Sequence, residues 1–229
     1  MNLFYAPNFP NDPFLPLEEA FHALKVLRLN PGESIQVTNG QGSFFSAILL
    51  NSNEKKCGLQ LQSSWEDAYG FSQNPVHLAI APTKNADRME WLVEKAVEMG
   101  VAQISPLHCT RSERRHIRTD RWEKIAVSAM KQSLRSKLPL INSFQSLERF
   151  IKNNSLNKNP CFIAHCIPST KQDLHILPKT AVTILIGPEG DFSPEEVELA
   201  ENNGYVGLSL GHYRLRTETA ALKALAHFL

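Results

Sequence analysis

Residues 182–222, VTILIGPEGDFSPEEVELAENNGYVGLSLGHYRLRTETAAL, limit the possible folds more than any other stretch of the chain. Two short apolar runs, 182–186 and 206–210, are partly β-branched and bounded by glycine, so both read as buried strands. Each breaks into a loop that opens a helix. The first loop is Gly187-Pro188-Glu189-Gly190, and the second runs from Gly211 to Arg216. Ser193 before Pro194, with Glu196 three residues on, predicts an N-cap, a proline at the first helical position and a capping box. Asn203-Gly204 is expected to stop that helix. Thr217 is expected to cap the last one, with Glu218 in its first turn, where the helix dipole favours an anion. Strand, glycine loop and helix, twice over, is the layout of an α/β ligand site at the carboxyl ends of strands.

The first loop lacks the lysine of a Walker loop and does not fit GxGxxG. Glu189 and Asp191 would repel a phosphate, so a neutral or cationic ligand suits it better. Backbone groups freed by the glycines could hold an adenine edge and a ribose. On pattern alone, tight turns are the favoured reading of both loops.

IGPEG followed by LGHYRLRTETAAL resembles the two C-terminal signature segments of the SPOUT methyltransferases. The closest likeness is to the RsmE family, which methylates N3 of a uridine in 16S ribosomal RNA. The family's IGPEGG has Asp191 in place of its last glycine here, whereas LGxxxLRTETA is matched from Leu210 to Ala220. The resemblance implies S-adenosyl-L-methionine as cofactor. It would be held mostly by main-chain groups at Leu185, Ile186, Gly187, Glu189, Gly190, Leu210, Gly211, Tyr213 and Leu215. Methylation of an imide nitrogen requires loss of its proton, which spreads negative charge onto the flanking carbonyls. A fixed cation stabilises that charge, so Arg216 is the catalytic candidate, with Glu218 beside it. An Arg216–Glu218 ion pair is the purely structural alternative.

The formal net charge is +1, so a nucleic-acid role needs locally concentrated charge. The start, MNLFYAPNF, does not read as a signal peptide, and no apolar run reaches membrane-spanning length. A cytoplasmic protein with no membrane partner is expected. Cys57, Cys109, Cys161 and Cys166 form no CxxC pair and read as reduced thiols. Cys161, His165 and Cys166 could be written as a zinc set, but buried strand residues are the simpler reading, and no metal is expected.

In the first 72 residues, short apolar runs alternate with turn signals, which suggests a small β-barrel interrupted by one helix at about 17–27. His22, Val26-Leu27-Arg28, Gly32 and Gly40 resemble the HxxxVLRxxxG entry of the family's PUA-like RNA-binding domain. Four Lys/Arg face seven acids there, so RNA contact would be local, at His22, Lys25 and Arg28. A structural or dimer-supporting barrel is the alternative.

A polar linker is expected at 63–75, and a second domain covers 73–229. Its strands at 76–81, 104–107, 161–165, 182–186 and 206–210 alternate with helices, which predicts a mostly parallel sheet covered on both faces. A helix over 86–99 ends at Gly100. Lys84 and WLVEKAVEMGV resemble further family segments, and Lys84 is a candidate RNA contact. Between 111 and 137, nine Lys/Arg face three acids. Arg111, Arg114, Arg115 and Arg118 are candidate phosphate contacts in a loop. Asp120 and Glu123 suggest a capping box for a helix with a basic stripe of Arg121, Lys124, Lys131 and Arg135. Another short helix is expected at 146–153.

The resemblance further implies a C-terminal trefoil knot and a homodimer paired through it. The leading expectation is methylation of uridine N3 in 16S ribosomal RNA, free or in the assembled small subunit. The alternatives are a SPOUT methyltransferase acting on another RNA such as transfer RNA, or a non-catalytic RNA-binding protein of ribosome assembly.

Overall fold

The structure is a computed structural model and describes residues 2–68, 74–154 and 158–229. The chain divides into two compact units, residues 1–71 with 127–138, and residues 72–126 with 139–229.

The first unit holds strands β1 (Leu3–Tyr5), β2 (Ser34–Thr38), β3 (Ser43–Leu49) and β4 (Leu59–Glu66), paired in that order. β1 runs parallel to β2, and the other pairs are antiparallel. Among the described residues no β1–β4 pairing closes this sheet into a complete barrel. Its core gathers Phe4, Phe9, Val37, Phe45 and Leu49. The expected helix is present but changes winding. Helix α1 (Leu17–Phe21) passes into a π-helical turn, His22–Val26, and the Leu27 N–H bonds to the His22 carbonyl.

β4 extends to Glu66, into the stretch expected to be linker. Its side chains are mostly exposed, so its composition reads as polar, while its backbone pairs with β3 from Ser43 to Leu49. The expected linker residues 69–73 lie outside the described residues.

Residues 127–138 dock into this unit through polar contacts. The Ser136 carbonyl accepts from the Gly42 N–H at 3.1 Å and the Thr38 hydroxyl at 3.0 Å, and the Ser136 hydroxyl donates to Asp67 at 2.6 Å. Lys131 donates to the buried Glu19. This corrects the expected basic stripe, because Lys131 is a paired structural residue and not part of a solvated face.

In the second unit, β5 (Val76–Ile80), β6 (Gln103–His108), β7 (Leu140–Ile141), β8 (Gln145–Ser146), β9 (Cys161–Ala164), β10 (Gln172–Asp173), β11 (Val182–Ile186) and β12 (Val206–Ser209) form one sheet. The order is β10-β12-β9-β11-β5-β6-β7, with β8 also on β6, and every pairing is parallel. Two-residue strands such as β7, β8 and β10 are too short to leave a periodic signal in the sequence.

The helices are α2 (Ala86–Met99), α3 (Thr119–Gln132), α4 (Leu147–Asn154), α5 (Pro194–Asn202) and α6 (Thr217–Phe228). Every residue of β11 is buried, as a strand covered on both faces requires. Burying one such Ile or Leu contributes roughly 1.5–3 kcal/mol. Asn85 caps α2 by accepting from the Asp87 and Arg88 N–H groups, and Gly100 ends it at φ 99°. The Ser193–Glu196 capping box of α5 forms in both directions.

Two caps differ from expectation. α3 begins at Thr119, so Asp120 lies inside its first turn and accepts from Arg118, and no Asp120–Glu123 box starts the helix. α6 has Arg216 at its cap position with no side-chain cap bond. Thr217 instead spends its hydroxyl on a carbonyl of the first glycine loop. Cys57 and Cys109 are buried, Cys161 is half-buried and Cys166 is exposed. Cys166 escapes the core because β9 stops at Ala164. Among the described residues no helix is long and apolar enough to cross a membrane, and no cluster of His, Cys, Asp and Glu could hold a metal ion.

Candidate active site

The sheet order makes β12, β9 and β11 consecutive neighbours, and because they are parallel their carboxyl ends form one rim. Beyond that rim lies a cavity of about 880 Å³, within the usual size range for a small-molecule site. The loops after all three strands line it, with His165 and Cys166 after β9, Gly187 to Glu189 after β11, and Leu210 to Arg216 after β12. Arg88 from α2 and Glu218 from α6 complete the wall.

The two glycine loops are joined directly. The buried Thr217 hydroxyl donates to the Gly187 carbonyl at 3.1 Å. A Cβ on Gly187 would sit 3.1 Å from the fully buried Phe192 ring. Gly211 adopts φ 112°, a region that L side chains rarely enter.

Of the residues assigned to the cofactor from sequence, Ile186, Gly187, Glu189, Leu210, Gly211, Tyr213 and Leu215 line the cavity. Leu185 and Gly190 are not among the lining residues. The Leu185 side chain packs in the core with Ala79, Leu107 and Ile163. Gly190 faces Arg111, whose Cβ lies 3.2 Å from the position a Gly190 Cβ would take.

Arg216 and Glu218 both line the cavity, yet they are not the pair considered from sequence. Arg216 is exposed, whereas Glu218 is buried with its Oε1 3.8 Å from Arg88 Nε. Nothing in the sequence singles out Arg88. It reaches Glu218 because α2 packs on α6.

Among the described residues, three buried side-chain nitrogen and oxygen atoms lack a hydrogen-bond partner: both ring nitrogens of His165 and Oε2 of Glu218. Both residues line this cavity. Unpaired buried polar atoms are costly, and their concentration here marks a place where a ligand can supply partners. Burial, and then the Lys171 cation, hold the His165 imidazole below its ordinary pKa, so it is neutral at physiological pH and can donate from one nitrogen while accepting at the other.

The loop after β6 braces the site. Arg111 donates to the Gly190 carbonyl at 2.9 Å and the Phe192 carbonyl at 3.3 Å, so one nitrogen of its guanidinium holds the first glycine loop. Arg114 donates to the Lys84 carbonyl at 3.2 Å, and the Lys84 N–H donates to Glu189 at 3.0 Å. The Lys84 ammonium pairs with Glu113 at 3.1 Å, and Arg118 pairs with Asp120 at 2.9 Å. Arg115 is exposed. On the helix that follows, Arg121 pairs with Glu90 at 2.7 Å.

The other RNA candidates lie in the first unit. His22 makes an edge contact with the Phe4 ring, Lys25 pairs with Glu54 at 3.0 Å, and Arg28 is exposed at a left-handed φ of 56°.

An RNA methyltransferase domain family matches residues 71–229, and an RNA methyltransferase PUA domain family matches residues 15–62. The ribosomal RNA small subunit methyltransferase E of Bacillus subtilis is 30% identical, over 91% of this chain and 86% of its own. The crystal structure of a probable rRNA methyltransferase from Porphyromonas gingivalis is 39% identical with a TM-score of 0.89, covering 99% of this chain and 96% of that one. A methyltransferase of Legionella pneumophila, solved with its bound cofactor SAM, is 31% identical with a TM-score of 0.86, covering 100% and 96%. The chain belongs to the RNA methyltransferase family, in its ribosomal RNA small subunit methyltransferase E branch.

Proposed function

We propose that this protein is an S-adenosyl-L-methionine-dependent methyltransferase that methylates N3 of a uridine in 16S ribosomal RNA. The observation that carries the reading is the cavity beyond β9, β11 and β12, walled by two glycine loops and holding the unpaired polar atoms of His165 and Glu218. The relatives named above act on ribosomal RNA by name, and one was solved with the cofactor. The residues present fit that cofactor. Freed backbone of the glycine loops suits an adenine edge and a ribose, while the carboxylates of Glu189 and Glu218 in the wall suit a cationic sulfonium ligand.

When bound, the cofactor supplies an electrophilic methyl group on sulfur. Transfer would form the N3–C bond as the C–S bond breaks, with that bond's electron pair left on sulfur and the imide proton passed to solvent water. The protein's tasks are alignment of donor and acceptor and stabilisation of the charge that spreads over the two uracil carbonyls. We assign the second task to Arg216. It stands exposed at the cavity rim, at the start of α6, where its planar fork suits a carbonyl edge. Glu218 is assigned to the wall: Arg88 orients its Oε1 side, and Oε2 remains to accept a hydrogen bond from a ligand.

RNA backbone contact is assigned to Arg115 first, since Arg111 holds the first glycine loop, and then to Arg118 and, in the PUA unit, to His22, Lys25 and Arg28; the ion pairs of Arg118 and Lys25 are exposed and can open to a phosphate. The proposal includes two domains divided in sequence near residue 72, a homodimer working in the cytoplasm, and a trefoil knot in the C-terminal segment. Mass spectrometry of 16S ribosomal RNA from a deletion strain tests the function. Loss of one 3-methyluridine, restored by the gene, is expected, and an unchanged methylation pattern would refute it.

A further inference from the structure

Position 191 is where the chain departs from the paired glycines of the IGPEGG segment. Asp191 adopts φ 63°, in the left-handed region, where side chains other than Asn and Asp are strongly disfavoured. A glycine would occupy this conformation freely, so the acid brings a conformational cost that needs an offset. The offset lies in its carboxylate. Oδ2 accepts from the Cys166 N–H at 2.7 Å, and Oδ1 accepts from the Phe192 N–H at 2.8 Å. Cys166 lies just beyond β9, and Phe192 follows the first glycine loop, beyond β11. These strands are neighbours, so one carboxylate ties their two exits together. The Phe192 ring packs at Gly187. Anchoring Phe192 therefore also sets the wall that Gly187 presents.

We propose that Asp191 is a positioning residue, a latch that holds the exit loop of β9 against the first glycine loop and keeps two walls of the cofactor cavity in register. Cys166, Gly187 and Asp191 all line that cavity, as does His165 next to the latched amide. The latch belongs to the acid and not to the backbone shape, since glycine reproduces the φ but offers no acceptor. The inference rests on the S-adenosylmethionine reading of the site.

The test compares the full-length protein with Asp191→Gly and Asp191→Asn. Glycine accepts the backbone conformation, so the fold is retained, and thermal unfolding confirms it. Hydrogen exchange at the Cys166 and Phe192 amides is expected to quicken. In calorimetric titration with S-adenosylmethionine, Asp191→Gly is expected to bind about tenfold more weakly, the loss for roughly one charge-assisted hydrogen bond. Asn tolerates the same φ and has a single carbonyl oxygen, so Asp191→Asn is expected to fall between. The Michaelis constant for S-adenosylmethionine should rise by a similar factor, with a much smaller fall in rate at saturating cofactor. A purely structural role would lower stability and active fraction without that split. Wild-type affinity and exchange rates in Asp191→Gly would overturn the latch alone. Absence of binding by the wild-type protein would overturn the cofactor reading and the latch with it.

Discussion

Thr217→Val isolates the link between the two glycine loops. Valine keeps the shape and β-branching of threonine but removes the hydroxyl that donates to the Gly187 carbonyl at 3.1 Å in a buried setting. The carbonyl then loses this donor, at a cost of about 1–3 kcal/mol. For a chain of this size each kcal/mol lowers the unfolding midpoint by roughly 2–4 °C. A fall of about 2–12 °C is therefore expected in scanning calorimetry. Because Gly187 and Thr217 both line the cavity, S-adenosylmethionine affinity should fall in parallel, whereas Thr217→Ser, which keeps the hydroxyl, should stay near wild type in both. A valine variant with wild-type midpoint and affinity would show that the loops hold their positions without this bond.

Four further outcomes are expected. Arg216→Ala should lower the single-turnover rate by about one to three orders of magnitude with both ligands still bound, and Arg216→Lys should recover little; lost affinity with an intact rate would make Arg216 a binding residue. Gly211→Val forces a β-branched residue into φ 112° and should abolish S-adenosylmethionine binding in a protein that still unfolds cooperatively, so unchanged affinity would refute the role of that loop. Arg115→Ala should weaken RNA binding and lower its salt slope by about one, whereas Arg111→Ala should weaken cofactor binding instead, because Arg111 holds Gly190; filter binding across a salt series, with calorimetry, checks both. His77, bonded to Ser105 at 2.7 Å, has its pKa lowered by burial from 6.5 to about 4; the unfolded chain holds the extra proton between these values, so stability is full above about pH 6.5 and falls by about 3 kcal/mol as pH drops to 4. Chemical denaturation across that range reads the slope, and His77→Gln should flatten it.

The elements that were legible in the sequence are those whose signal is local. The strand at 182–186, the Ser193–Glu196 box and the 86–99 helix with its Gly100 stop all form as written. Each depends on apolar periodicity or on residues within four positions of one another. β4 leaves no apolar signal beyond residue 62 because its stability comes from pairing with β3 and not from burying its side chains. The same holds at the site. Glycine placement located both loops, but which residues face the cavity depends on the neighbours of β11. Those neighbours turn the Leu185 side chain into the core and let Ile186 reach the rim.

Charged residues were the hardest to place, for a related reason. Read locally, Arg111, Lys131, Asp120 and Glu218 are a phosphate contact, part of a basic stripe, a helix cap and a partner of Arg216. Asp120 pairs with Arg118, inside the helix it was expected to cap. The others reach partners far along the chain: the Gly190 carbonyl, Glu19 and Arg88. Long side chains choose partners by tertiary proximity, and strand order sets that proximity. With β9 between β11 and β12, the chain crosses over β9 twice before α6 begins, bringing three strand exits, a helix start and the bracing loop after β6 to one end of the sheet. Asp191 shows how such a position departs from a family pattern. Read alone, it is a misplaced acid in a glycine turn. Beside the exit of β9 it finds the Cys166 amide, and the substitution gains a partner that the sequence motif cannot display.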